Sequence, residues 1–180
     1  AASVRTGAGS AGTSNSLVSF FSRVDYSYKG KYILGLNARR DGSSNFGANN
    51  KWGNFYAISA GWNISDEKFF PKNDIVTNLR LRGSWGETGN RNFGDFASLA
   101  LIGAGANYNL QAGLFPSQLA NPNLSWEKRD AKNIALEVGL IKNRINIVAE
   151  VYRTVTRDLL FNRPVALNSG YSTFATNIGN

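Results

Sequence analysis

The chain has 180 residues, enough for one domain, with 42% hydrophobic content and a formal net charge of +8. It contains neither cysteine nor histidine, which excludes a disulfide framework and thiolate chemistry and removes the commonest general base and metal ligand. No apolar run approaches the roughly 18 residues of a transmembrane helix, and a cationic balance of this kind suits nucleic acid or a membrane rich in anionic lipid.

The opening stretch AASVRTGAGSAGTSNS, residues 1–16, lacks the apolar core of a signal peptide and reads as a flexible or outer-loop segment. Leu17 to Tyr28 alternates: Val18, Phe20, Ser22, Val24, Tyr26 and Tyr28 on one side, Ser19, Phe21, Arg23, Asp25 and Ser27 on the other. That period of two predicts a strand with unlike walls. Lys29-Gly30 predicts a tight hairpin turn.

Tyr32 to Ile64 predicts two long strands joined by a polar loop over Asp41 to Gly53. Tyr32, Leu34, Leu36 and Ala38 form the apolar wall of the first, and Ile58, Ala60, Trp62 and Ile64 that of the second. At about ten residues each, these strands match a tilted crossing of a bilayer. Ser65 to Asn78 reads as a polar connection. Thr77 to Gly86 reads as a strand that sets Leu79, Leu81 and Trp85 against Arg80, Arg82 and Ser84. Glu87 to Leu124 shows little period, with a short strand near Ser98 to Ile102. A strand over Asn133 to Leu140, a turn at Lys142-Asn143 and a strand over Ile145 to Tyr152 follow, and beyond Asp158 the chain reads as loop.

The expected architecture is all-β: an antiparallel up-and-down meander of about six long strands, part of a transmembrane β-barrel and not closed within this chain. Residues 17–158 form the partial barrel with a long outer loop at 87–124, and 1–16 and 159–180 are outer-loop segments. Shorter turns fall at one end of the sheet and longer loops at the other, as in outer-membrane barrels. Tyr26, Tyr28, Tyr32 and Trp62 fall near the short-turn end, and Trp52, Tyr56 and Trp85 near the long-loop end, where aromatic girdles belong. Leu34, Leu36, Ile58, Ala60, Leu79, Leu81, Leu136, Val138, Ile147 and Ala149 are expected to face lipid. Arg23, Asp25, Arg39, Arg80, Arg82, Asn133, Glu137, Asn146 and Glu150 are expected to face a lumen and to contact a plug or a substrate. In the outer loops Phe46, Trp52, Phe93, Phe96, Tyr108 and Phe115 are candidate contacts for a partner or substrate; the alternative is that they pack the loops against themselves.

The strings YKGKYILGLNARRDGSSNFGANNKWGNFYAISAGWNIS, LRLRGSWGETGN and LANPNLSWEKRDAKNIALEVGLIKNRINIVAEVYRTVTRDLL resemble the barrel of SusC/RagA-type TonB-dependent outer-membrane transporters of the Bacteroidetes. RRDGSSNFG, GETGN and ANPNLSWEK are its most specific motifs, and the resemblance runs from about Leu17 onward. It implies uptake of glycans or peptides across the outer membrane, with a SusD-like surface lipoprotein and the periplasmic TonB complex as partners and outer-membrane lipid around the wall. A full-length member carries a plug, a TonB-contacting segment and a barrel of about 22 strands. This sequence shows none of the first two and only about six strands, so it reads as an internal piece of the barrel that starts and ends in outer loops.

No catalytic chemistry or cofactor is expected. Serine and threonine have no histidine to act as base, and Glu137 with Glu150, the one carboxylate pair worth testing for glycoside cleavage, reads as lumen lining. Gly103-Ala104-Gly105 lacks the lysine and helix of a phosphate loop, and Asp66-Glu67 offers at most weak cation binding. Arg39-Arg40 and Arg80/Arg82 stand near aromatics, yet the alternation of Arg80 and Arg82 with Leu79 and Leu81 favours a lumen over nucleic acid. Two function classes result: part of an outer-membrane importer, or a secreted or surface all-β glycan-binding module. The second requires the apolar walls to be hidden in a sandwich core.

Overall fold

The computed structural model describes residues 12–71, 74–109 and 111–179. Most of the expected opening segment 1–16 therefore lies outside the described residues, as do Lys72 and Asn73 of the Ser65–Asn78 connection and Leu110 of the long loop.

Six strands form one antiparallel sheet: β1 (Leu17–Tyr28), β2 (Tyr32–Ser43), β3 (Trp52–Asn63), β4 (Val76–Asn90), β7 (Glu127–Leu140) and β8 (Ile145–Arg157). They pair in chain order, and β1 and β8 are the two edges, so the sheet is an open meander. Two hairpins stand outside it: β5 (Leu101–Ala104) with β6 (Leu114–Gln118), and β9 (Leu159–Pro164) with β10 (Thr173–Ile178). Among the described residues helical structure is limited to single 3-10 turns at Ile64–Asp66 and Leu167–Ser169.

The tight turns form where the sequence places them. Lys29 and Gly30 both take positive φ, 52° and 69°, the mirror-image turn whose twist suits two long strands. Ile141, Lys142 and Asn143 do the same at the β7–β8 turn, at 52°, 54° and 59°.

Three expectations need correction. The loop after β2 is shorter than Asp41 to Gly53: Asp41, Gly42 and Ser43 continue β2, and Trp52 and Gly53 open β3, paired as Asp41 with Gly53 and Gly42 with Trp52. The ladder holds because Arg39 and Asp41, two residues apart on one face, form an ion pair at 2.7 Å that supports the strand end. Next, β4 and β7 run further than Gly86 and Asn133, because Glu87 to Asn90 pair residue for residue with Asp130 to Glu127. Lastly, Glu87–Leu124 and the tail each hold a hairpin, and β5 with β6 is centred later than Ser98–Ile102.

Cross-strand partners share a face, so the register fixes both walls. Leu34, Leu36, Ile58, Ala60, Leu79, Leu81, Leu136, Val138, Ile147 and Ala149 fall on one face. No second sheet covers that face among the described residues, and Phe20, Val24, Ile58, Ile134, Ile147 and Val151 stand exposed on it. Arg23, Asp25, Arg39, Arg80, Arg82, Asn133, Glu137, Asn146 and Glu150 fall on the other. That charged face is not purely polar, since Phe21, Val148 and Tyr152 also stand exposed on it.

Aromatics line both borders of the apolar face. Tyr28, Tyr32 and Trp62 stack in sequence at 6.4 Å, and Phe69 meets the Trp62 edge. At the far border Phe20 stacks on Trp52 at 6.2 Å, with the Arg40 guanidinium 5.0 Å above the Trp52 ring. The borders run obliquely to the ladder. The row of Tyr28, Tyr32 and Trp62 continues into Leu81, Leu136 and Ala149, which lie mid-band on their own strands. An oblique band is what strands tilted against a membrane plane require.

Candidate functional site: the charged face and the long-loop end

The charged face is organised around Arg82. Its Nε donates to Glu137 at 2.7 Å and its terminal nitrogen to Glu150 at 3.3 Å, and Asn133 donates a short hydrogen bond to the same Glu150 carboxylate. Arg82, Glu137, Asn133 and Glu150 thus come together as one network across three strands. Both carboxylates of the pair considered for glycoside cleavage are thus engaged by the Arg82 guanidinium. Arg80 stands apart: it faces Glu137 in the ladder, but its Nε is enclosed without a hydrogen-bond partner. Asn146 donates to the Asn143 carbonyl at 3.4 Å. Near the β1 edge Arg23 and Asp25 pair with each other at 2.6 Å, both well exposed.

Towards the long loops β3 and β4 part company, since their pairing ends at Ala57 with Gly86. The parting leaves a cleft of about 300 Å³ lined by Asn37, Arg39, Asp41, Glu87, Thr88 and Arg91 among others. Apart from Arg39, these residues are absent from the sequence-based candidates. Their signal lay in RRDG and GETGN, whose strands flank the cleft, but only the parting of β3 from β4 turns the motifs into its walls.

The three motifs converge beside this cleft. Phe46 of RRDGSSNFG, Leu124 and Trp126 of ANPNLSWEK, and Phe55 form a closed core with Ala97 and Ala175, against which Phe93 and Leu160 pack. Phe46 lies 4.7 Å from Trp126 and Phe55 5.6 Å, between ring centroids. Gly47 donates its N–H to the Leu124 carbonyl, and a Cβ on it would collide with the Pro122 carbonyl. Gly89 of GETGN leaves room for the Phe55 ring in the same way. Asparagines complete the junction: Asn50 donates to the Asn123 carbonyl, Asn121 to the Ala175 carbonyl, and Asn177 to the Ser125 and Asp158 carbonyls. Side-chain amides replace the ladder where no strand can supply one.

The loop aromatics separate accordingly. Phe46 is 1% exposed and so is not available to a partner, which corrects the expectation for it, whereas Phe93 packs on the same core but stays half-buried. The correction has a plain cause: a hydrophobic ring inside a polar loop finds its cover in a second loop distant in sequence. Trp52 belongs to β3 on the apolar face rather than to a loop. Phe96 is partly exposed at positive φ, Phe115 covers Gly103 within the β5–β6 hairpin, and Tyr108 stands 86% exposed at its tip.

At the opposite, short-turn end Glu67 receives hydrogen bonds from Tyr32 Oη at 2.7 Å, Lys31 Nζ at 2.9 Å and Trp62 Nε1 at 3.3 Å. These donors, Tyr32 first, hold its carboxyl down at about 2. Glu67 is thereby a latch rather than a cation ligand, and no cluster with metal-binding composition occurs among the described residues.

Comparison with known proteins gives a consistent picture. The family model described as TonB dependent receptor-like, beta-barrel matches residues 2–180. A TonB-dependent receptor of Formosa agariphila is 42% identical over 171 residues, which is 95% of this chain and 16% of that protein. TonB-dependent receptor SusC of Bacteroides thetaiotaomicron is 34% identical over 175 residues, 93% of this chain and 17% of that protein. Among solved structures, the RagAB peptide transporter superposes with a TM-score of 0.84 at 33% identity, over 92% of this chain and 18% of that one. The chain spans less than a fifth of the length of these relatives.

Proposed function

The chain belongs to the TonB-dependent receptor-like β-barrel family, and from that membership we propose that it forms wall and outer mouth of an outer-membrane nutrient importer of the SusC/RagA type. In this reading the six paired strands between Leu17 and Arg157 are barrel wall, and the segment between β4 and β7 together with the β9–β10 hairpin belongs to the outer loops. The family is one of receptors and transporters, and its barrels lie in the outer membrane. The observation that carries the reading is the two-walled register. Ten apolar residues share an uncovered face and nine polar or charged ones share the other, which suits lipid outside and a watery path inside. A soluble glycan-binding module is disfavoured by the same face, because nothing in the sheet hides it.

Lumen residues divide into those already paired and those free to bind. Glu137 and Glu150 are held by Arg82, which leaves Arg80 as the better contact for a plug carboxylate. The cleft at Arg39, Asp41 and Arg91 offers both charges and amides at the mouth, a surface suited to oligosaccharide or peptide termini. The β5–β6 hairpin, with Ile102, Tyr108 and Leu114 all more than 70% exposed, is the part offered to a surface lipoprotein.

Removing the intact receptor from its cell should abolish uptake of a labelled oligosaccharide or peptide pool, and restoring it should return that uptake. Unaltered uptake of both classes would refute the importer. Deleting residues 101–117 in the intact receptor should lower uptake and release the lipoprotein from the complex. If uptake and lipoprotein retention both hold at the unaltered level, the hairpin has no part in partner binding.

A further inference from the structure

On β7 and β8 the apolar face ends at Ile134 and Val151, which are cross-strand partners. The next residues on that face are Lys132 and Arg153, directly opposite each other, with Trp85 on the far side of Lys132. Both cations are exposed. Like charges set directly opposite on one face destabilise a sheet, so such a pair calls for an anion.

Among the described residues no acidic side chain answers this pair. The nearest acidic groups on this face, Glu87 and Asp130, are both taken by Arg157, at 3.6 and 3.5 Å. Asp130 also accepts the Trp85 indole N–H at 2.8 Å. Among the described residues neither Lys132 nor Arg153 has an ion-pair partner. Below them lies an exposed apolar strip in which Ile134 is 55%, Leu136 38% and Val151 72% exposed.

A ligand that satisfies both halves has an anionic head and an apolar tail. We infer that Lys132 and Arg153 hold the phosphate of an outer-leaflet lipid whose acyl chains lie along Ile134, Leu136 and Val151. This rests on the proposal that the apolar face meets lipid with the long loops outside. The guanidinium of Arg153 offers two parallel N–H donors to phosphate oxygens, and the Lys132 ammonium adds a point charge. Trp85 stands at the level where an indole sits among headgroups. Free phosphate would use the cations but none of the apolar strip.

The test uses the intact receptor in phosphatidylcholine bilayers with a fluorophore on Ile134→Cys, or on Val151→Cys should the first label disturb folding. Phosphatidylcholine or phosphatidic acid with brominated acyl chains serves as quencher. Near a membrane surface each cation is worth about a fivefold preference for an anionic lipid, so phosphatidic acid should quench at a several-fold lower mole fraction. K132Q with R153Q should erase that preference and leave quenching by phosphatidylcholine intact. K142Q with R144Q, at the other end of β8, should keep it. Equal quenching by the two lipids in the unaltered receptor would overturn the site, as would a preference that survives in the double variant or is abolished by millimolar inorganic phosphate. Failure of both lipids to quench would instead overturn the outward assignment of the face.

Discussion

Phe46 and Tyr108 are both aromatic residues in polar loops, and their surroundings set their roles apart. Phe46 is buried against Trp126 and Leu124, while Tyr108 is 86% exposed. Phe46→Ala should cost about 3–5 kcal/mol of local stability through the cavity it leaves, and limited proteolysis of the intact receptor should then cut within 44–51 and 119–126. Tyr108→Ala should leave that cleavage pattern unaltered. Glu67 yields a pH signature. Its folded pKa of about 2 lies below the ordinary 4.5, so its contribution is full above about pH 4.5 and is lost as the pH falls through 2. The difference in thermal midpoint between the unaltered receptor and Glu67→Gln should be constant near neutrality and shrink across that window. A difference that instead grew on acidification would show that Glu67 is not ionised in the latch.

At the scale of elements, what the sequence revealed followed the alternation. β1 begins and ends at the residues where its period of two begins and ends, because each strand meets unlike media on its two sides. Where both faces become polar the period disappears although the ladder continues, which is why Glu87–Asn90 and Glu127–Asp130 were unreadable as strand. Asp41-Gly42-Ser43 has the composition of a turn, yet pairing with Trp52 and Gly53 overrides that propensity. The loop core was illegible for a different reason: Phe46 and Leu124 meet across 78 positions, and no local pattern announces such a contact. The walls themselves are testable on adjacent residues. Leu36→Arg places a charge on the apolar face and should cost about 2–4 kcal/mol at mid-membrane. Asn37→Arg, one step along β2 and on the charged face, should be tolerated. The folded fraction of the intact receptor in the outer membrane, read by heat-modifiable gel mobility, should fall for the first and hold for the second; equal tolerance would contradict the assignment of the walls.

For the whole molecule the decisive property is that the sheet has two edges. β1 and β8 each present a row of backbone donors and acceptors with no strand beside them among the described residues, and six strands fall short of the eight of the smallest membrane barrels. An open edge invites pairing with another chain, and the uncovered apolar face adds a second surface that water does not tolerate. The loop-end core and the Glu67 latch tie the ends of neighbouring strands, but neither covers an edge. The 180 residues produced alone in water should therefore associate through β1, β8 and the apolar face, and sedimentation should find no stable monomer. In the intact receptor the amides of β1 and β8 should exchange as slowly as those of β3 and β4, since further strands would pair with them. In the isolated chain held in detergent, β1 and β8 should exchange fastest while β3 and β4 keep protection from partners on both sides. A soluble monomer with protected edge strands would mean that the apolar face is covered by the chain itself, and the barrel-wall reading would fall with it.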